Sequence, residues 1–198
     1  MTSYVIVPGI GGSDAEHWQS RWEAQWAGQG VRIRPSSWDL PDLADWLAAL
    51  AAAHREASAR DPRVVIVAHS LGCWAAAAWA ATQPGAAAAM LLVAPPDPRG
   101  PSFPREAAPS FSGVQPRPLG GPVIVVASSN DPYGSLDAVA QFASAWHASL
   151  REVGACGHLN SASRLGDWPQ GRELLVELEH LRAAASREIS LLPEPPLQ

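Results

Sequence analysis

Short apolar runs rich in β-branched residues alternate with longer stretches of helical periodicity along this chain. The apolar runs predict strands at 4–7, 31–34, 64–68, 89–93, 123–127 and 150–153. The helical stretches predict helices at 15–27, 43–57, 71–82, 135–147 and 172–187. Repeated alternation of strand and helix is typical of a parallel sheet with helices on both faces. The pattern therefore predicts a three-layer α/β fold with a mostly parallel six-stranded sheet.

Two stretches depart from this pattern. Residues 95–121 are rich in proline and show little periodicity, which predicts a long loop between the fourth and fifth strands. Loops of this length are usually functional or mobile, and we expect this one beside the functional site because it follows the carboxyl end of a strand. It is too proline-rich to form a helical lid. Residues 1–190 are predicted to form a single domain, and 191–198 a frayed tail.

Composition supports a globular protein with a sizeable core. Of the 198 residues, 47% are apolar and 17% are charged, and no apolar run approaches the length of a membrane span. The formal net charge is −5 without a basic run, so neither nucleic acid nor a membrane is an expected partner. Two cysteines are too few for a disulfide framework, and the first strand begins too early to leave room for a signal peptide. Both features indicate a cytoplasmic location.

The chain contains no lysine, and its 14 basic residues are all arginine. This absence excludes a Schiff-base lysine, a Walker A lysine and a Ser-Lys catalytic pair. The glycine-rich stretch after the first strand lacks the G-x-G-x-x-G spacing of dinucleotide-binding loops. Because the sequence also shows no cluster with metal-ligand spacing, no cofactor and no metal are expected.

The segment V-V-I-V-A-H-S-L-G-C-W carries the strongest chemical signal. A buried strand runs directly into a turn at Ser70 and then into an Ala-rich stretch of high helix propensity. A serine at such a strand-to-helix turn projects its hydroxyl from the sheet, as in the nucleophile elbow G-x-S-x-G. Here Ala68 replaces the first glycine and Gly72 keeps the second. Ser70 is therefore the predicted nucleophile.

A serine nucleophile needs a base that accepts its proton and an acid that orients the base. In the α/β-hydrolase arrangement the order along the chain is serine, acid, histidine, each after a strand. The fifth strand leads into S-S-N-D-P-Y, which supplies Asp131, and the sixth leads into G-A-C-G-H-L-N, which supplies His158. Because both follow the carboxyl ends of predicted strands, we expect them to join Ser70 in one site.

Other residues compete for the roles of base and acid. His17 is the main rival base, because it follows the first strand and could line the pocket. His69 adjoins Ser70, but its side chain is expected to point away from the face that attacks substrate. Asp97 follows the fourth strand and is the alternative acid. Three further histidines fall within predicted helices and are expected at the surface: His54, His147 and His180.

Acyl transfer also needs hydrogen-bond donors for the oxyanion that develops on the substrate. The backbone N–H of Leu71, the residue after the nucleophile, is the first expected donor. The second should come from the glycine-rich loop after the first strand, with Ile10 as the favoured residue and Gly11 as the alternative. Candidate residues of the substrate pocket are Gly11, His17 and Trp38.

Four separated motifs carry a resemblance to a known family. The chain resembles the small serine hydrolases related to retinoblastoma-binding protein nine through V-P-G-I-G-G-S-D-A-E-H-W-Q-S-R-W-E, V-A-H-S-L-G, S-S-N-D-P-Y and G-H-L-N. The H-W-Q-S-R-W segment is closer to the bacterial members of that family. The resemblance covers nearly the whole chain and implies a lidless α/β-hydrolase fold with a triad of Ser70, Asp131 and His158.

One property of the animal member does not carry over. That protein binds a pocket protein through an L-x-C-x-E motif, whereas here Leu71, Gly72 and Cys73 are followed by tryptophan and alanine. Because the glutamate is missing, no pocket-protein binding is expected.

The expected function is hydrolysis of a small ester, thioester or amide through an acyl-enzyme intermediate. A carboxylesterase-like reaction on a small-molecule acyl substrate is the favoured form. The alternative is a catalytically weak or inactive protein that keeps the hydrolase fold and binds a partner or a small ligand.

Overall fold

The computed structural model describes residues 2–190, which contain one six-stranded sheet. The strands are β1 (Ser3–Val7), β2 (Gly30–Arg32), β3 (Val64–His69), β4 (Ala89–Val93), β5 (Val123–Ala127) and β6 (Ser149–Glu152). They lie in the order β2-β1-β3-β4-β5-β6, and every neighbouring pair is parallel. The predicted six-stranded sheet is confirmed, and throughout the described residues it is parallel.

Helices cover both faces of this sheet. The α-helices of the described chain are α1 (Trp18–Gln25), α2 (Leu43–Ser58), α3 (Leu71–Thr82), α4 (Leu136–Trp146) and α5 (Pro169–Ser190). Helices α2, α3 and α4 pack against one face, and α1 and α5 pack against the other. The molecule therefore has the three predicted layers.

The central strands are buried on both faces. In β3, Val64 and Ile66 pack with α2 and α3, whereas Val65 and Val67 pack with α1 and α5. Successive side chains of a strand point to opposite faces, so a strand covered on both sides requires an uninterrupted apolar run. Full burial of each such side chain contributes about 1.5–3 kcal/mol. The apolar run at 64–67 therefore packs against both helix layers.

The order of the strands places a crevice at the carboxyl end of β1. The chain leaves β1 toward β2 on one side and returns to β3 on the other side. Connections that diverge in opposite directions open a crevice between neighbouring parallel strands, and α/β proteins bind ligands there. The loops that follow β1 and β3 meet at this crevice, and they carry residues 9–12 and Ser70.

Helix α1 begins at Trp18 and not at residue 15 as the sequence predicts. The Asp14 carboxylate accepts the N–H groups of Glu16 and His17, which forms a local turn in place of the first helical turn. His17 then caps the helix, because its Nδ1 accepts the N–H of Gln19 at 3.1 Å. Polar side chains therefore determine where this helix begins, and the apolar periodicity of the sequence carries no information about them.

The bounds of several other elements also differ from the prediction, and the largest differences after α1 are in β2 and α5. Strand β2 ends at Arg32, before Pro35, which has no N–H to donate to a neighbouring strand. Helix α5 begins at Pro169, earlier than the predicted residue 172, because the fixed φ of proline suits the first position of a helix.

The proline-rich loop between β4 and β5 packs on the body of the protein. Within the described residues it contains one short 3-10 turn (Pro109–Phe111) and no helical lid. Trp74 donates its indole N–H to the carbonyl of Pro96 at 2.8 Å, and the N–H of Leu43 donates to Ser110 at 2.9 Å. The side chains that the loop buries are Phe103, Ala108, Phe111, Val114 and Leu119. The loop therefore forms part of the core.

No helix among the described residues is long and apolar enough to cross a membrane. The predicted frayed tail, 191–198, lies outside the described residues. That residues 1–190 form a single domain stays a prediction.

Candidate active site

Ser70 lies at the sharp turn between β3 and α3. Strand β3 ends at His69 and helix α3 begins at Leu71. Ser70 has φ 54° and ψ −128°, a conformation that costs a non-glycine residue about 1–3 kcal/mol. Its N–H donates to the carbonyl of Val93 at 2.9 Å, and its own carbonyl accepts the N–H of Cys73 at 2.9 Å. The turn thus has the strained backbone expected of an elbow, and hydrogen bonds on both sides hold it.

Close backbone approaches around this turn require glycine at two positions. A Cβ at Gly72 would lie 2.4 Å from the carbonyl oxygens of Val7 and Pro8. A Cβ at Gly9 would lie 2.8 Å from the Cβ of Ser70 and 3.2 Å from its Oγ. Because neither position has room for a methyl group, the ends of β1 and β3 approach closely enough to form one site.

The structure brings three predicted side chains into a hydrogen-bonded row. His158 Nε2 lies 2.8 Å from Ser70 Oγ, and His158 Nδ1 lies 2.9 Å from both carboxylate oxygens of Asp131. A carboxylate only accepts, so the neutral ring donates from Nδ1 to Asp131 and accepts the Ser70 hydroxyl at Nε2. The side chains of His158 and Asp131 are 10% and 3% exposed. The Ser70 hydroxyl therefore faces a partly buried imidazole whose other ring nitrogen donates to a buried carboxylate.

Side chains of the Asp131 loop fix the loop that carries His158. The amide oxygen of Asn130 accepts the N–H of Gly157 at 2.7 Å. The hydroxyl of Ser128 accepts the N–H of Cys156 at 2.9 Å and donates to Asn130 at 3.0 Å. The loops that follow β5 and β6 are thus joined directly beside the acid and the base.

A cleft of about 460 Å³ opens over Ser70. Its apolar wall consists of Ile10, Leu71, Pro96, Pro104 and Tyr133. Its polar wall consists of Asp14, His17, Asn160 and Ser161. The ring of Tyr133 lies 4.4 Å from that of His158, so an aromatic side chain flanks the base at the mouth of the cleft.

Backbone hydrogen bonds distinguish Ile10 from Gly11, the two candidates for the second oxyanion donor. Gly11 donates its N–H to the carbonyl of Trp38 at 3.0 Å, and Gly12 donates to the carbonyl of Gly9 at 3.1 Å. In the described chain the N–H of Ile10 has no acceptor, nor does that of Leu71 in the first turn of α3. The hydrogen-bond pattern therefore favours Ile10 over Gly11.

The predicted pocket residues occupy different positions. Gly11 and His17 line the cleft. Trp38 does not line it, because its indole packs behind the loop, against Gly12 and Trp46. His17 is 4% exposed and uses its Nδ1 to cap α1, and in the described chain its ring forms no hydrogen bond with Ser70.

The remaining competitors are not brought together with Ser70. Asp97 Oδ1 accepts the N–H of Arg99 at 2.9 Å and lies outside the row formed with His158. His147 and His180 are exposed, as predicted, whereas His54 is half-buried and its Nε2 lies 2.9 Å from the carbonyl of Ala86. His69 lines the cleft, but its ring Nε2 lies 2.9 Å from the carbonyl of His158 and forms no hydrogen bond with Ser70 in the described chain.

Two histidines beside the cleft are held neutral. Burial lowers the pKa of His17 to about 4. Burial also lowers the pKa of His69 well below its ordinary value, and neighbouring histidines lower it further. The rings of His17 and His69 are 4.8 Å apart, and those of His69 and His158 are 5.0 Å apart. At neutral pH neither ring therefore adds a positive charge next to His158.

Cys73 and Leu71 are buried in the first turn of α3. Cys73 is completely buried and Leu71 is 1% exposed. Burial raises the pKa of the Cys73 thiol, so this cysteine is not an activated nucleophile. The L-x-C segment therefore packs in the core behind Ser70.

Comparison with known proteins decides the family. The sequence model of the serine hydrolase family matches residues 4–177. The chain belongs to the serine hydrolase family. A crystal structure described as a YdeN-like hydrolase, from Pectobacterium atrosepticum, is 33% identical to this serine hydrolase, with a TM-score of 0.78. The alignment covers 92% of each chain.

More distant structures share the fold of this serine hydrolase. The ydeN gene product of B. subtilis is 20% identical, with a TM-score of 0.72 over 90% of this chain and 98% of that one. Esterase 2 of Thermogutta terrifontis is 20% identical, with a TM-score of 0.62 over 91% of this chain and 84% of that one. No curated protein matches the chain by sequence. The predicted family and the α/β-hydrolase fold are confirmed.

Several residues near the base were missed from the sequence of this serine hydrolase. Tyr133 follows Asp131 in the S-S-N-D-P-Y motif, and Asn160 and Ser161 follow His158 directly. Their proximity in sequence to Asp131 and His158 was the available signal. Nothing in the sequence indicated the contact between Asn130 and the loop that carries His158, because its partner, Gly157, follows a different strand.

Proposed function

We propose that Ser70, His158 and Asp131 form a catalytic triad that hydrolyses a small acyl substrate through an acyl-enzyme. The observation that supports this proposal is the continuous row from Ser70 Oγ to Nε2 of His158 at 2.8 Å and from Nδ1 to Asp131 at 2.9 Å. These distances are within hydrogen-bond reach for proton transfer in the resting protein.

In the acylation step, the Ser70 oxygen attacks the carbonyl carbon of the substrate while His158 Nε2 takes the hydroxyl proton. Asp131 stabilises the resulting imidazolium through the Nδ1 hydrogen bond. The N–H groups of Leu71 and Ile10 donate to the oxyanion, since both lack another acceptor in the described chain. Collapse of the tetrahedral intermediate breaks the bond to the leaving group, which takes the proton from His158.

In the deacylation step, water attacks the acyl-enzyme. His158 removes a proton from this water, and a second tetrahedral intermediate forms at the same donors. Its collapse breaks the bond to Ser70, which recovers its proton from His158. The sum of both steps is the addition of one water to the substrate, which gives a carboxylic acid and the free alcohol, thiol or amine.

The size and lining of the cleft support a small substrate, for which we favour a carboxylic ester. A volume of about 460 Å³ is at the lower end of the range for small-molecule sites. The apolar wall suits an acyl chain, and the polar wall suits an oxygen-bearing group. A cytoplasmic location remains part of this proposal.

Covalent labelling of Ser70 tests the proposal. A fluorophosphonate probe should label the wild-type protein, and Ser70→Ala should abolish labelling because the nucleophilic oxygen is gone. Ser112→Ala is a matched control, since Ser112 is exposed on the proline-rich loop, and it should label at the wild-type rate. A wild-type protein that resists the probe would contradict the proposal and favour a non-catalytic binding protein.

Two alanine variants test which histidine is the base. His158→Ala should lower the rate of p-nitrophenyl acetate hydrolysis by about 10²–10⁴-fold, whereas His17→Ala should not produce a loss of this size. A larger loss in His17→Ala would assign the base to His17. A series of p-nitrophenyl esters of graded chain length then defines the preferred acyl group.

A further inference from the structure

His69 contacts the main chain of the residue that carries the base. Its Nε2 lies 2.9 Å from the carbonyl oxygen of His158. A carbonyl oxygen only accepts hydrogen bonds, so His69 carries its proton on Nε2 and donates it. His69 is also the last residue of β3 and directly precedes Ser70. One residue thus connects the strand that ends at the nucleophile with the loop that carries the base.

The segment that receives this hydrogen bond has an unfavourable backbone. Gly157 has φ 60° and Leu159 has φ 51°, so His158 lies between two residues in the left-handed region. For Leu159, which has a Cβ, this conformation costs about 1–2 kcal/mol. Surrounding contacts must compensate for this cost if the loop is to keep its shape.

Two ring N–H groups supply such contacts on consecutive carbonyls. His69 donates to the carbonyl of His158, and Trp18 donates its indole N–H to the carbonyl of Leu159 at 2.8 Å. Both donors are buried, with His69 4% and Trp18 1% exposed. Because water cannot replace a buried donor readily, the loss of either would leave a carbonyl of the strained segment without its partner.

The position of His69 is itself well determined. Its ring packs in an edge contact with the ring of His17, 4.8 Å away, and in a second contact with Trp18, 6.2 Å away. Strand β3 lies between β1 and β4 in the sheet, and its last residue, His69, directly precedes Ser70. The donor is therefore fixed in the same frame as the nucleophile.

We propose that His69 is a positioning residue that sets the distance between the base and the nucleophile by holding the main chain of His158. This inference rests on the proposed function, in which His158 is the base. His69 takes no proton from the substrate or from Ser70. Its role is to keep Nε2 of His158 within hydrogen-bond reach of Ser70 Oγ in the resting enzyme.

Substitutions that keep or remove the donor test this role. Gln places an amide N–H near the position of histidine Nε2, whereas Leu has a similar size and no donor. His69→Leu should lower kcat for p-nitrophenyl acetate about 10–100-fold with KM changed by no more than about twofold, since a misplaced base slows the chemical step. His69→Gln should recover most of the lost kcat.

His54 provides a matched control. It also places Nε2 2.9 Å from a backbone carbonyl, that of Ala86, and its ring packs on Trp79. This contact is remote from the cleft. His54→Leu should therefore leave kcat and KM unchanged, although it removes the same kind of hydrogen bond and lowers the thermal unfolding temperature.

The outcomes distinguish this inference from the proposed function. If wild type reacts with the fluorophosphonate probe but His69→Leu reacts at the wild-type rate, the inference is overturned and the triad stands. If wild type itself does not react, the proposed function fails. Should His69→Leu not fold, His69→Asn replaces it, because its shorter amide falls short of the His158 carbonyl. Equal rates for the Gln and Asn variants would then overturn the role of the donor.

Discussion

Three neighbouring histidine rings lie beside Ser70, and each has a different environment. His17 caps α1, His69 donates to a carbonyl, and His158 bridges Ser70 and Asp131. Burial lowers the pKa of the first two, which keeps them uncharged near neutral pH. Their neutrality has a measurable effect on the stability of the protein.

We expect the free energy of unfolding to decrease by about 3 kcal/mol through His17 alone as the pH falls from 6.5 to 4. In this window the unfolded chain binds a proton that the folded chain does not, because the folded pKa is about 4. Above pH 6.5 both states are neutral and the contribution is fully present. Urea unfolding followed by tryptophan fluorescence across this pH range measures it.

His17→Asn is the matched variant for this measurement. Its side-chain oxygen can still accept the N–H of Gln19, so the helix cap is kept while the titrating group is removed. The other charges that shift the pKa of His17 remain in the variant: Asp14, Arg32 and His158. The slope of the unfolding free energy with pH should be smaller in the variant, and an equal slope would contradict a neutral buried His17.

The positions of the candidate site residues were predictable wherever they directly follow a strand. Ser70, Asp131 and His158 each follow a recognisable apolar run, so their meeting at one sheet edge could be predicted. The choice between Ile10 and Gly11 could not, because it depends on a hydrogen bond from Gly11 to a carbonyl distant in sequence. The contact between the His69 ring and the carbonyl of His158 likewise joins residues that are distant in sequence.

At the scale of elements, the interior strands were predicted more accurately than the helix starts. Strands β4 and β5 have their predicted bounds, because an uninterrupted apolar run has a sharp beginning and end. The start of α1 was wrong by three residues, because it is set by the side chains of Asp14 and His17. The packing of the proline-rich loop was also unpredictable, since its buried residues follow no period.

The packed state of this loop leads to a stability prediction. Phe111 is completely buried, with its ring 5.6 Å from that of Trp46. Phe111→Ala should lower the free energy of unfolding by about 3–5 kcal/mol, because it removes apolar contacts and leaves a cavity. Urea denaturation measures this loss. The neighbouring exposed Ser112 serves as control, since Ser112→Ala should change stability by less than about 0.5 kcal/mol. A small loss in Phe111→Ala would indicate that the loop is detached in solution.

At the scale of the whole molecule, two apolar cores share one sheet. Trp18, Trp22 and Trp168 belong to the core beneath α1 and α5, and Trp46 and Trp74 belong to the core beneath α2, α3 and α4. Because adjacent side chains of each central strand enter opposite cores, neither core can separate without disrupting the strands. The sequence predicted this layering, but apolar periodicity does not encode the order of the strands.

We expect the molecule to unfold in a single cooperative transition. Tryptophan fluorescence reports on both cores and far-UV circular dichroism reports on the sheet and helices, so the two urea curves should coincide. Curves with separate midpoints would contradict the prediction that residues 1–190 form one domain.

Ser70 is a residue that selection for stability alone would replace. Its backbone, at φ 54°, would be relaxed by glycine, which lacks the Cβ that makes this conformation costly. Glycine, however, has no hydroxyl, and the proposed function requires the hydroxyl of Ser70 to attack a substrate. Under that proposal the requirements of folding and of chemistry conflict at this position, as they do in many enzymes. The strained turn projects from β3, whose residues are all buried.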